Sequence, residues 1–366
     1  MYNKILFIDR DIPTFDRDAG SYITFEYIKI LKGLSNKLLF WPYFQNKKEQ
    51  YYNLFSRMGI EVGYDISFEN FFNSKCQDVD LIFSARPNIT HAYLNILKTN
   101  KRAKILYIGH DLHYLRERRQ EKVNHINFLD SKYQYMKQQE DTIMKNVTMS
   151  LYFSDAEIQI IKNELNNNNV VKIPWIQPTV KANSINNVTK RWRITFLGGF
   201  DHAPNQDAVY WFIHDILPLI QTKIPSINTT IVGSNPPAEF NKLNNKNIEI
   251  LGRVSEGKLA EIFNETKIFI SPLNFGAGFK GKIAKAMSFG VPVVTTSIGA
   301  EGIGLIDGRN ALIANDKHSF SDKVVLLSND NNLWSMLSKN SIDHIKNNFS
   351  VENAQKAISD LLINYI

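Results

Sequence analysis

Two patterns of apolar and polar positions take turns along the chain. KILFI at 4–8 is an unbroken apolar run of strand length, whereas Tyr22, Phe25, Ile28, Leu31 and Leu34 recur at the spacing that shares one helix face. The polar segment DRDIPTFDRDAGS joins them. KLLFWPY, DLIFSAR, KILYIGH and VTMSLYFS repeat the apolar run, and helical stretches such as HAYLNILKT fall between some of them. Runs apolar at every position fit strands buried on both faces, so the alternation predicts a parallel sheet covered by helices on both sides. After VVKIPWIQP the periodicity lapses over TVKANSINNVTKR, the expected linker. A second series follows: RITFLGGF, the helix DAVYWFIHDILPLI, NTTIVG, IEILGRV, the helix EGKLAEIFNET, IFISPL and VPVVTT. The prediction is two doubly wound α/β domains, 1–185 and 186–366, facing each other, with ligands in the cleft at the carboxyl ends of the strands.

Composition narrows the class. The 366 residues suffice for two ordinary domains, and 43% hydrophobic with 22% charged residues is a globular balance. No apolar run has the length of a membrane span, and the opening MYNKILFIDRD has too short an apolar core for a secretory signal, so a cytoplasmic location is expected. The lone Cys76 has no disulfide partner and reads as structural. A formal charge of +7 suits nucleic acid, an anionic membrane surface or an anionic small substrate. Zinc-ligand spacing, an aromatic RNA-binding strand and a basic region leading into heptads are all lacking, so nucleic acid is not an expected partner, while peripheral contact at the inner membrane face stays open. The asparagine runs NELNNNNVV and NKLNNKNIEI read as loops.

The strongest candidate chemistry lies in residues 268–296, IFISPLNFGAGFKGKIAKAMSFGVPVVTT, which reads as strand, glycine-rich turn, helix and strand. Gly276, Gly278 and Gly281 allow a tight turn and close approach to a ligand. The helix starting near Lys280 aims free N–H groups and its dipole at an anion. Lys280 and Lys282 add two ammonium groups, which suits a diphosphate. The glycines match GxGxxG literally, and Glu301 follows at about the distance of a ribose-binding acid. The fingerprint usually sits in the first strand–helix turn of a domain. A turn needed only for chain reversal and close helix packing, and a dinucleotide-dependent oxidoreductase, therefore stand as alternatives. The DRD triplets at Asp9–Asp11 and Asp16–Asp18 have metal-site spacing but lie away from this half, so they are read as solvated loop and no metal is expected.

In order, FLGGFDHAPNQDAVYWF, IVGSNPP, ILGRVSEGKLAEIF, the 268–296 stretch, GAEGIG and FSVENAQKAISDLL make residues 193–362 resemble the nucleotide-sugar-binding domain of retaining GT-B glycosyltransferases of the GT4 type, glycosyl transferases group 1. The first half resembles them through KILFIDRDIPTFDRDAGS and YIGHDLHYLRERR. The resemblance implies an α/β GT-B fold, two facing Rossmann-like domains with a cleft between them and a C-terminal helix returning to the first. It implies transfer of a sugar from a nucleoside diphosphate sugar donor to a glycan or lipid-linked acceptor with retention, without metal or organic cofactor, in bacterial surface polysaccharide or glycoconjugate synthesis. Donor and diphosphate contacts are expected at Gly20, Gly198, Gly199, Gly276, Ala277, Gly278, Phe279, Lys280 and Lys282, and ribose or base contacts at Val254 and Glu301. His110, Asp111 and His113, at the end of the KILYI strand, are the candidate catalytic group. Their alternative role is to orient the following helix, whose Arg116, Arg118 and Arg119 would then be an exposed face. Many relatives carry two glutamates in the stretch before the PVV strand; these positions are Ala277 and Lys285 here, which leaves a catalytically idle nucleotide-binding scaffold as an alternative.

Overall fold

The computed structural model describes residues 2–123, 132–178 and 188–365. In the first domain β1 (Tyr2–Asp9), β2 (Ser35–Pro42), β3 (Ile60–Val62), β4 (Leu81–Ala85), β5 (Lys104–Gly109), β6 (Met149–Tyr152) and β7 (Val170–Lys172) form one parallel sheet in the order β3-β2-β1-β4-β5-β6-β7. In the second, β8 (Arg193–Leu197), β9 (Asn228–Val232), β10 (Ile248–Leu251), β11 (Thr266–Ser271), β12 (Val293–Thr295) and β13 (Leu312–Ile313) are ordered β10-β9-β8-β11-β12-β13. The strand order reverses beside β1 in one sheet and beside β8 in the other. Each reversal splays two successive connections apart and opens a crevice at the carboxyl ends of the strands.

Register explains why the central strands are apolar throughout. Phe7 lies opposite Phe40 on β2 and Phe83 on β4, and the rings stack at 6.0 and 6.2 Å in a row across three strands. On the other face Leu6, Leu39 and Ile82 are completely buried in a separate apolar cluster. Strands β3, β7 and β13 are short and pair on one side only, so they carried too little apolar signal to be marked in advance.

The expected helix DAVYWFIHDILPLI is not one regular helix. Helix Ala203–Trp211 passes through a π turn, Phe212–Ile216, into helix Leu217–Lys223. Pro218 has no N–H to return to the preceding turn, and the wider turn absorbs the missing bond. The domain boundary placed at 185/186 falls within 179–187, outside the described residues. Arg191, at the end of the segment expected to be linker, is firmly anchored: its guanidinium donates to the carbonyls of Phe263, Thr266 and Phe289 at 2.7, 2.9 and 3.1 Å. Helix Val351–Asn364 returns to the first domain, where Tyr2 Oη donates to the Leu362 carbonyl at 3.2 Å. Cys76 is buried, and burial pushes its thiol up to about 12. No helix among the described residues is long and apolar enough to cross a membrane.

Candidate functional site

On the first domain the site begins where β1, β4 and β5 end. Asp9, the last residue of β1, is buried. Its carboxylate accepts Arg86 Nε at 2.7 Å, the Arg10 N–H at 2.6 Å and Thr24 Oγ1 at 3.2 Å. This corrects the reading of the first DRD triplet as solvated loop: only a paired carboxylate tolerates that depth. Asp16 takes a short bond from the Tyr51 hydroxyl, and Asp18 caps helix Ala19–Gly33. Arg86 stands before Pro87 at φ 71°, a conformation that costs a non-glycine residue about 1–3 kcal/mol and persists only where surroundings hold it. The Asp9 pair is that hold.

His110 follows β5, half-buried, with its Nε2 buried and lacking a hydrogen-bond partner among the described residues. Burial, reinforced by Arg86, pushes it down to about 4, so it is neutral at pH 7. Burial alone would raise Asp111, but His113, Arg116 and His110 hold it down at about 2, and Arg116 Nη1 donates to it at 2.5 Å. Burial disfavours the charged form of His113, yet Asp111 and Glu140 outweigh it and the net shift is upward. Glu140 also accepts the N–H groups of His113 and Tyr114 at 3.0 and 2.9 Å. It therefore satisfies the start of helix His113–Val123, which had been the alternative task for a histidine.

The facing bank belongs to the second domain. The loop after β8 carries Gly198 and Gly199. The Gly199 carbonyl accepts Asn205 Nδ2 at 2.7 Å, and Asn205 Oδ1 accepts Lys282 Nζ at 2.5 Å. Lys282 also lies 4.6 Å from the centre of the Phe196 ring. Burial, with Lys280 adding to it, pushes Lys282 down to about 7. His202 is held below its ordinary range by burial and by Arg116 across the cleft, so the two banks sense each other.

The glycine-rich turn leads into helix Gly281–Ser288, as its spacing predicts. Gly276 and Gly278 take φ values of 141° and 73°, open to glycine at little cost. At Gly278 space is as restrictive as angle: a Cβ there would stand 2.7 Å from Asp111 Cβ. Phe279 stacks on Trp175 of the first domain at 4.6 Å. Several expectations need correction here. The Gly278 N–H does not stand free for a phosphate, because Glu157 Oε1 accepts it at 2.9 Å. Lys280 is buried and turned onto its own loop, donating to the carbonyls of Ala277 and Gly278 at 3.2 and 2.6 Å. Gly20, an expected donor contact, lies in the first turn of helix Ala19–Gly33 without a positive φ.

Glu301 follows the short helix Ser297–Ala300 and is bound bidentately by Arg119 at 2.7 and 2.8 Å, while Arg119 Nη1 also donates to the Gly276 carbonyl at 2.6 Å. Arg119 is thus a tie between the domains. Arg118 pairs with Glu164 on the first domain. Val254 lies half-buried on the loop between β10 and helix Glu256–Glu265, farther along the same rim. The structure therefore brings His110, Asp111 and His113 against Gly276–Lys280, and groups Gly198 and Gly199 with Lys282. Sequence reasoning missed Asp9, Arg86, Arg119, Glu140, Glu157, His202 and Asn205. His202 and Asn205 stand inside the FLGGFDHAPNQ motif, the one signal that could have found them.

Two parallel sheets, facing each other across a cleft with the glycine-rich turn on the second, define the GT-B architecture. Residues 191–330, most of the second domain, match the family model Glycosyl transferases group 1. Sucrose-phosphate synthase of Thermosynechococcus elongatus superposes with a TM-score of 0.75 over 99% of this chain and 98% of that one, at 13% identity. Anabaena HepE, solved in complex with UDP, gives a TM-score of 0.71 at 12% identity over 99% and 100% of the two chains. A glycosyltransferase of Rickettsia africae gives 0.71 at 14% identity over 100% of both. At these identities the likeness is one of fold. An uncharacterized 44.6 kDa protein in the cps region of Klebsiella pneumoniae is 28% identical over 163 residues, 43% of this chain and 42% of that protein.

The geometry generates two expectations. Arg119→Ala and Glu301→Ala should each weaken the inter-domain contact, and a double-mutant cycle on unfolding stability should return a coupling of about 0.5–3 kcal/mol; strictly additive effects would deny the tie. Between about 7 and its ordinary 10.5, Lys282 has lost a proton in the folded chain that the unfolded chain keeps. Stability should therefore rise with pH through that window and level off above it. Melting temperatures of the wild type and Lys282→Met from pH 6.5 to 10 check the sign: the wild type should gain on the variant as pH rises.

Proposed function

We propose that the chain transfers a sugar from a nucleoside diphosphate sugar to a glycan or lipid-linked acceptor, with retention of anomeric configuration, in the synthesis of a bacterial surface polysaccharide or glycoconjugate. The observation that carries this reading is the second-domain bank: a glycine-rich turn, a helix N-terminus at Gly281 and the half-buried Lys282, across the cleft from His110, Asp111 and His113. That HepE was solved with UDP and with UDP-glucose supports the donor class, and the cps-region relative supports the polysaccharide setting.

In this reading the diphosphate lies near the start of helix Gly281–Ser288. Its charge draws a proton back onto Lys282, and the resulting ammonium, with Lys280 behind it, takes up the negative charge that develops as the glycosidic bond breaks. Side-chain cations and backbone dipoles supply this stabilisation without calling on a metal ion. Glu301, oriented by Arg119, keeps lone pairs that can accept ribose hydroxyls, and the rim at Val254 is open to the base. Neutral His110 offers a hydrogen bond to the sugar. His113, raised toward its charged form, adds positive potential near the leaving phosphate. The same-face attack common in the resembling family then lets that phosphate deprotonate the acceptor.

A screen of nucleotide sugars tests the reading. UDP or another nucleoside diphosphate, and not NAD, should raise the melting temperature, and at least one donor should be hydrolysed above background. Lys282→Ala should weaken diphosphate binding by about 1.5–3 kcal/mol, the range of a hydrogen bond to a charged group. A chain that binds the nucleotide yet neither hydrolyses nor transfers any sugar is the idle scaffold. His113→Ala should lower turnover much more than donor affinity, since its contribution grows as the bond breaks; equal turnover would remove it from the mechanism.

A further inference from the structure

Ser154 and Glu157 stand in the S-x-x-E pattern with which a helix start closes on itself, serine bonding forward and glutamate back. In helix Asp155–Glu164 this does not happen. The Ser154 side chain makes no capping bond, and its hydroxyl is buried without a partner among the described residues. Glu157 turns instead toward the cleft. Its Oε1 accepts the Leu112 N–H at 2.7 Å and the Gly278 N–H at 2.9 Å, while Oε2 is buried without a partner. One oxygen thus joins an amide beside Asp111 and His113 to an amide of the glycine-rich turn of the other domain. The two loops already touch at that point, since only the missing Cβ of Gly278 admits Asp111.

We propose that Glu157 is a positioning residue: by holding the Leu112 and Gly278 amides on one carboxyl oxygen, it sets the separation between the donor loop and the His110–His113 loop. The role of that separation in transfer rests on the nucleotide-sugar reading above; the seating of the loop does not. What the task needs is reach. Burial and the neighbouring Asp111 push the Glu157 carboxyl up toward its neutral form, and a neutral acid still offers an oxygen that can accept both bonds. Lys280, held close to it, already gives its hydrogen bonds to the loop carbonyls. A one-methylene retreat would break the bridge, and misplacing reacting groups by about 1 Å costs on the order of 100-fold in rate.

Three variants separate reach from acidity. Glu157→Gln keeps length without an ionisable acid, Glu157→Asp keeps the acid without length, and Glu157→Ala removes both. Hydrogen exchange of the 275–281 segment in the ligand-free protein should stay near wild type in Glu157→Gln and rise in Glu157→Asp and Glu157→Ala. Turnover of the donor found in the screen should be largely kept in Glu157→Gln and fall on the order of 100-fold in Glu157→Asp, with a much smaller change in UDP affinity. Wild-type protection in Glu157→Asp, or a Glu157→Gln variant as impaired as Glu157→Ala, would overturn the proposal; if Glu157→Ala does not fold, the Gln and Asp pair still decides. If the wild type neither binds UDP nor consumes any donor, the functional reading fails while the exchange comparison still judges the seating.

Discussion

The approach of Gly278 to Asp111 is the constraint on which the cleft depends. Two loops from different domains meet there with no room for a single additional carbon. Everything nearby is arranged to make that approach tolerable: Glu157 accepts the amide, Arg119 takes the Gly276 carbonyl and Glu301, and the Trp175–Phe279 stack shields the flank. Any side chain at 278 would part the domains. The glycine is therefore required for domain contact as much as for any ligand, a role that glycine spacing alone does not reveal.

Closing the cleft also buries charge, and the sequence places that charge in complementary pairs. Asp9 faces Arg86, Asp111 faces Arg116, and Glu301 faces Arg119. Of these only Asp9 is a fully buried charge; removing the partner of such a charge costs about 3–5 kcal/mol because it is left uncompensated, so Arg86 holds it in place more than it adds net stability. Lys282 differs. It has a neutral amide and an aromatic face for company rather than a carboxylate, and burial with Lys280 nearby lowers its affinity for a proton.

Much of this fold was legible in advance. Unbroken apolar runs such as KILFI and DLIFSAR become central strands because they are buried on both faces, and the glycine-rich turn becomes the link from β11 to a helix because only glycines permit its angles. The site was legible only where its signal is local. His110, Asp111 and His113 were found because a strand end is a one-dimensional landmark. Arg119 and Glu301 lie 182 positions apart and Arg86 and Asp9 lie 77 apart, and nothing in either segment announces the other. Glu157 was hidden more deeply, since its spacing from Ser154 imitates a helix cap that the tertiary contact overrides.

The departure from the resembling family has a physical reason at both positions. Ala277, half-buried, packs against the apolar cluster of the first domain that contains Leu112 and Tyr114, so a glutamate there would set a carboxylate against apolar surface and lose part of its hydration. Lys285 points elsewhere and pairs with Glu256 at 2.6 Å near the surface. A loop that packs an alanine against the opposite domain can be gripped more closely than one presenting an acid, and the acids that do reach it come from elsewhere, Glu157 directly and Glu301 through Arg119. An alanine at 277 and the tight seating of the loop thus go together, whereas Lys285 answers to its own partner on the second domain.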